Sequence, residues 1–179
     1  GASLSHVLLW QHLLTTCHAA TASHTWFCIV EDDALIVPDF DTRWRHIQAQ
    51  ITPDVRFIYL GWHCYEKDHT GCALNIPYAT AAGATHVTTK EPSQLHPVGY
   101  AIGLWSYLVR ADHLSTLLQA VLPMQQPIDH ALMEIPQKER EVWQRCAVPP
   151  LFHHPGKSIM SAYGLVNEGT APYRSTTQT

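Results

Sequence analysis

The chain has 179 residues, 46% of them hydrophobic and 15% charged, which is enough apolar material for one sizeable core and excludes a disordered polymer. Its formal net charge of −4, with no Lys or Arg run, excludes the basic face that nucleic-acid binding needs. No apolar run approaches the ~18 residues of a membrane span, and the opening GASLSHVLLWQHLL has neither the basic leader nor the cleavage site of a signal peptide. The five Cys, at 17, 28, 64, 72 and 146, are odd in number and scattered, which points to a reducing compartment rather than a disulfide scaffold.

The first predicted element is a helix. Ser3 or Ser5 can cap its start, and Leu4, Val7, Leu8, Leu13 and Leu14 give it an apolar side through Thr16. Residues 26–30, WFCIV, read as a short, fully buried strand of the parallel-sheet kind, with Cys28 as a small core residue. This strand is expected at the centre of its sheet, carrying Glu31, Asp32 and Asp33 to the sheet's open end. Pro38 and Asp39 break the chain, and residues 40–50 predict a helix with Asp41 or Thr42 near its start.

Pro53-Asp54 signals a turn before a second buried strand, VRFIYLGW, at 55–62. From His63 to about Gln94 the chain is polar and reads as a long loop region, with or without a short hairpin, of a length that is usually functional or mobile. YAIGLWSYLVR, 100–110, predicts a third strand. ADHLSTLLQAVL predicts a helix capped by Asp112, burying Leu114, Leu117, Leu118 and Val121 and ended by Pro123. PIDHALMEI predicts a short helix with Pro127 in its first turn, and CAVPPLF a final short strand or extended piece. The tail from about Gly169 is expected to fray. Strands alternating with helices predict an α/β fold with a mostly parallel sheet flanked by helices. In such sheets ligands bind beyond the carboxyl ends of strands, where Glu31–Asp33 fall.

Three successive carboxylates repel one another unless water or a cation intervenes. Their oxygens suit hard ions such as Mg²⁺ and Mn²⁺, which commonly take one or two carboxylates plus substrate phosphates. In an extended segment Glu31 and Asp33 share one side and Asp32 takes the other. The alternative is a solvated loop with a helix-capping Asp.

The segments GASLSHVLLW, IVEDDALIVPDF, FIYLGW, GLWSYLVRADHLSTLL, PIDHAL and VPPLFHHPGKSIMS occur in one order. This succession resembles glycosyltransferase family 25, which includes bacterial lipooligosaccharide galactosyltransferases and eukaryotic collagen galactosyltransferases. The family's Gly-x-x-x-Ser-His start is similar to Gly1, Ser5 and His6, and its Glu-Asp-Asp to Glu31, Asp32 and Asp33. Its Ala-Tyr-Leu-Ile-Ser segment is similar to residues 106–109, and its Pro-Ile/Val-Asp to Pro127, Ile128 and Asp129. The resemblance runs to about Ala162. It implies a GT-A-like fold, a UDP-sugar donor, a divalent metal (Mn²⁺ or Mg²⁺) and inverting transfer of a hexose, galactose in the named members, to a saccharide hydroxyl. The family carries an N-terminal βαβ-like segment that helps form the nucleotide pocket. The expectation is one domain over residues 1–179 lacking part of that segment.

Within this reading Asp33 is the first metal ligand, Glu31 its helper, and Asp32 a partner for ribose or sugar hydroxyls. Asp129 is either the general base on the acceptor hydroxyl or a residue favoured at a helix N-terminus. His153 and His154 precede Pro155, Gly156 and Lys157. His154 can complete the metal site and Lys157 can meet a phosphate, against the alternative of a solvated turn. Ser5 and His6 either approach phosphate or sugar, or cap and pack. Cys64, His69 and Cys72, with His63 and Asp68 nearby, hold zinc only at a non-standard spacing and otherwise belong to an acceptor-side loop. Trp62, Trp105 and Tyr107 can face a sugar ring, with core packing the alternative for Trp105. A non-catalytic glycan- or partner-binding module is the second functional expectation, and another nucleotide-using transferase or hydrolase the third. The expected compartment is the bacterial cytoplasm, at the inner membrane surface, or the ER lumen if the source is eukaryotic.

Overall fold

A computed structural model of the chain describes residues 2–18, 21–63 and 92–153. The expectations for Gly1, Cys64, Asp68, His69, Cys72, His154, Lys157 and the tail lie outside the described residues. Among the described residues five strands form one sheet in the order β1-β5-β3-β6-β4: β1 (Trp26–Val30), β3 (Phe57–His63), β4 (Gln94–Pro97), β5 (Ile102–Arg110) and β6 (Gln144–Val148). Two short strands, β2 (Leu35–Ile36) and β7 (Phe152–His153), pair as a separate antiparallel ribbon. The helices are α1 (Ala2–Thr16), α2 (Phe40–Gln48), α3 (Leu114–Val121), α4 (Ile128–Glu134) and α5 (Gln137–Trp143). No described helix is long and apolar enough to cross a membrane.

The α/β class holds, but the expected mostly parallel sheet does not. Among the described strands only β3 and β6 pair in parallel, while β1–β5, β3–β5 and β4–β6 are antiparallel. The misleading signal was continuous apolarity. β3 and β5 are apolar at nearly every position because both faces of the sheet are covered, and coverage leaves the same imprint whatever the strand direction. One face packs Trp10, Phe57, Tyr107, Leu117 and Leu132 among helices α1, α3 and α4. The other packs Ile47 of α2 with Ile58, Leu60, Trp105, Leu108 and Phe152. Each fully buried side chain of this size contributes roughly 1.5–3 kcal/mol.

β1 is an edge strand, not the central one, and it is only partly covered, so Cys28 is exposed rather than in the core. WFCIV reports how much apolar surface the segment has, not where in the sheet it sits.

The buried side of α1 is His6, Val7 and Trp10, whereas Leu4, Leu8 and Leu14 are exposed. Apolar residues almost encircle this helix, so periodicity alone could not choose the face. The large Trp10, wholly buried, and the hydrogen-bonded His6 choose it. Ser3 does not cap α1. It lies inside that helix, and its hydroxyl oxygen accepts the Ile128 N–H at the start of α4, at 3.1 Å. Asp112 likewise does not cap α3: both of its oxygens accept from the Arg110 guanidinium, at 2.7 and 3.0 Å.

Two glycines admit Trp105 into the sheet. A Cβ at Gly61 would lie 2.1 Å from the Trp105 ring nitrogen, and one at Gly103 2.0 Å from its six-membered ring. Gly103 also has φ +84°, a conformation that side chains with a Cβ rarely adopt. Core packing is therefore the outcome for Trp105, which is 4% exposed. Trp62 and Tyr107 are buried too, so the expected sugar-facing role does not hold for either ring. Trp62 donates its indole N–H to the Ala147 carbonyl at 3.0 Å.

Candidate functional site

The ladder between β1 and β5 continues one residue past β1, where the Glu31 N–H donates to the Trp105 carbonyl at 2.8 Å. The chain then turns, with Ala34 N–H returning to the Glu31 carbonyl at 3.1 Å. This turn lifts Asp32 and Asp33 off the end of the sheet, and both are exposed. The first turns of α1 lie alongside. Between them is a cleft of ≈ 440 Å³ lined by Ala2, Ser5, His6 and Leu9 from α1 and by residues 29–33. The fold thus brings together five of the sequence-predicted residues: Ser5, His6, Glu31, Asp32 and Asp33. They come from two segments joined only in space.

Within the cleft wall, His6 is 5% exposed and both ring nitrogens are engaged. Its Nε2 lies 3.2 Å from Glu31 Oε1, and its Nδ1 lies 2.9 Å from the Tyr107 hydroxyl. That hydroxyl also accepts the Trp10 indole N–H at 2.8 Å. Tyr107 stacks on Phe57 with ring centres 5.0 Å apart. Burial, first of all, pushes its phenol well above the ordinary range, so it remains an O–H. The Glu31 side chain is 29% exposed, so the carboxylate joins a buried hydrogen-bond chain to the open cleft.

Asp129 is not among the residues lining this cleft. In the first turn of α4, its Oδ2 accepts the Gly103 N–H and its Oδ1 the His130 N–H, both at 3.0 Å. It braces the helix against the entry to β5.

Sequence reasoning missed Trp10 and the polar role of Tyr107. The four-residue spacing of His6 and Trp10, which puts them on one helix face, was a readable signal. Tyr107 was not readable, because it meets His6 only through the register that sets Ile29 opposite Tyr107. His113 was also missed. It is 2% exposed, packs on Trp143 with ring centres 4.3 Å apart, and neither ring nitrogen has a hydrogen-bond partner. Burial, then the nearby Arg56 charge, pushes it down to about 4.

Among the described residues no three His, Cys, Asp or Glu side chains form a group able to hold a metal ion. Glu31, Asp32 and Asp33 line the same cleft without forming such a group. The chain matches no protein-family model and no curated protein.

Proposed function

We propose that the chain is a glycosyltransferase that moves a hexose from a UDP-sugar to a saccharide hydroxyl, with inversion and with a divalent cation. The observation that carries this reading is the cleft, where helix α1 meets three carboxylates at the end of a strand. The order of segments, which resembles glycosyltransferase family 25, supports the sugar-nucleotide donor, galactose as the hexose, the GT-A-like architecture and the cytoplasmic setting.

Glu31 and Asp33 would hold the cation, with His154 as a third candidate from the resembling segment. When bound, Mn²⁺ or Mg²⁺ neutralises charge on a departing diphosphate. The chain's own groups do the rest. Ala2, Ser5, His6 and Leu9 of α1 form one wall of the cleft. The exposed Ser5 hydroxyl can donate to a phosphate or sugar oxygen, and Asp32 can accept from ribose or sugar hydroxyls. Lys157 is assigned to phosphate and Asp129 to the acceptor hydroxyl by resemblance alone.

One observation favours a second reading, a glycan-binding module without turnover. Asp129, the candidate base, already accepts two backbone N–H groups and lies outside the cleft lining. Calorimetry with UDP-galactose and Mn²⁺, followed by product assay on a saccharide acceptor, separates the two. Binding with turnover that Asp33→Asn abolishes supports the enzyme. Binding without turnover supports the module. No binding of any UDP-sugar at saturating Mn²⁺ defeats the donor-site reading.

A further inference from the structure

We propose that Tyr107 is a positioning residue for the cleft: it sets the tautomer of His6, and His6 in turn sets the orientation of the Glu31 carboxylate. The inference follows from counting donors. An indole N–H only donates, so the Tyr107 oxygen accepts from Trp10 at 2.8 Å. Tyr107 has one proton left to give, and its neighbour at 2.9 Å is His6 Nδ1. If Nδ1 accepts that proton, the neutral ring carries its own on Nε2, 3.2 Å from Glu31 Oε1, and donates it there.

The other tautomer fails twice. With the proton on Nδ1, Tyr107 would accept from both Trp10 and His6, and its O–H would lack an acceptor at a residue that is 0% exposed. An unsatisfied buried donor is costly. At the same time the Nε2 lone pair would face a carboxylate oxygen at 3.2 Å, acceptor against acceptor. Only the Nε2–H form satisfies all four side chains.

The chain therefore fixes Glu31 by Oε1 and leaves Oε2 as the oxygen not held by His6. Asp32 and Asp33, by contrast, sit on an exposed turn. Glu31 is thereby a pre-oriented carboxylate, and His6 acts through it rather than on a substrate. The ligand consequence rests on the reading of the cleft as a cation and sugar-nucleotide site; the hydrogen-bond chain does not.

Long-range ¹H–¹⁵N correlation of the imidazole rings at about pH 8 tests the chain, with His6→Gln identifying the His6 signals. The expected wild-type pattern is a protonated Nε2 and an acceptor Nδ1. A protonated Nδ1 overturns the proposal without any further variant. Tyr107→Phe should shift His6 toward a tautomer mixture and move the Glu31 Cδ resonance, whereas Trp10→Phe should preserve the Nε2–H form, because the tyrosine O–H still donates. A wild-type His6 spectrum in Tyr107→Phe overturns it. Mn²⁺ titration followed by water-proton relaxation adds the ligand arm, with Tyr107→Phe expected to weaken binding roughly tenfold. An altered tautomer with unaltered Mn²⁺ affinity overturns the claim that orientation reaches Glu31. If wild type binds no Mn²⁺, the cation reading of the cleft fails, while the two spectroscopic signatures still decide the chain.

Discussion

Glu31 and Asp129 are both carboxylates next to β5, both lie at the boundary of a regular element, and both were singled out as site residues. Their surroundings differ in one respect. Asp129 accepts a backbone N–H on each oxygen, Gly103 on one and His130 on the other. Glu31 has one oxygen held by a buried imidazole and lines a cleft. The first arrangement ties both oxygens to the main chain, and the second ties one oxygen to a side chain at a cleft. A carboxylate's residue type and its place in a motif do not distinguish these cases, but its hydrogen-bond partners do.

The largest way to break the comparison is at the donor to Asp129. Gly103→Ala must adopt φ +84° with a Cβ that meets the Trp105 ring, so a loss of more than about 3 kcal/mol is expected in urea unfolding. Next comes acid. The folded-state pKa of His113 is pushed down to about 4 from the ordinary 6.5, so the folded state resists its protonation. The stability associated with the neutral ring is complete above pH 6.5 and is lost as pH falls toward 4, reaching about 3 kcal/mol. Unfolding midpoints across that window should fall in wild type and flatten in His113→Phe. Without this control the acid limb would be misread as an effect of the carboxylates.

The direct test pairs two substitutions. Asp129→Asn turns an amide N–H₂ toward a backbone donor and should cost about 1–3 kcal/mol of stability. Glu31→Gln keeps an oxygen for His6 and should stay within about 0.5 kcal/mol while losing Mn²⁺ binding. Equal stability losses would erase the distinction between anchor and ligand. The smallest effect concerns α1, where Leu8→Gln on the exposed side should change stability by less than about 0.5 kcal/mol.

The positions of β3, β5, α3 and α4 were legible because each is a dense apolar run or stripe bounded by Pro, Gly or a polar loop. Strand direction was not, since β3 and β5 are buried on both faces and carry no alternation. Helix α5, QKEREVW, was invisible. It buries Arg140 and Trp143, and the Arg140 guanidinium donates to the Ile135 and Gly99 carbonyls at 2.8 and 2.9 Å. Nothing in a charged heptapeptide announces a buried arginine. The predicted final strand over CAVPPLF is in fact two, β6 and β7, divided at Pro149 and Pro150, where neither residue can donate to a ladder. At the site, Glu31–Asp33 stood out as a charge run, and His6 as part of a motif. Their meeting, and the role of Tyr107 in it, depended on an antiparallel register that no local pattern encodes.

The short run from Gly103 to Trp105 touches both Asp129 and Glu31. Gly103 offers its N–H to Asp129, and two residues later Trp105 offers its carbonyl to the N–H of Glu31. The Asp129 carboxylate and the Glu31 main chain are thus bonded to the two ends of one three-residue run. Their energies should therefore not add. In a double-mutant cycle, Asp129→Asn and Glu31→Gln should show a coupling of about 0.5 kcal/mol or more, where independent sites would show none.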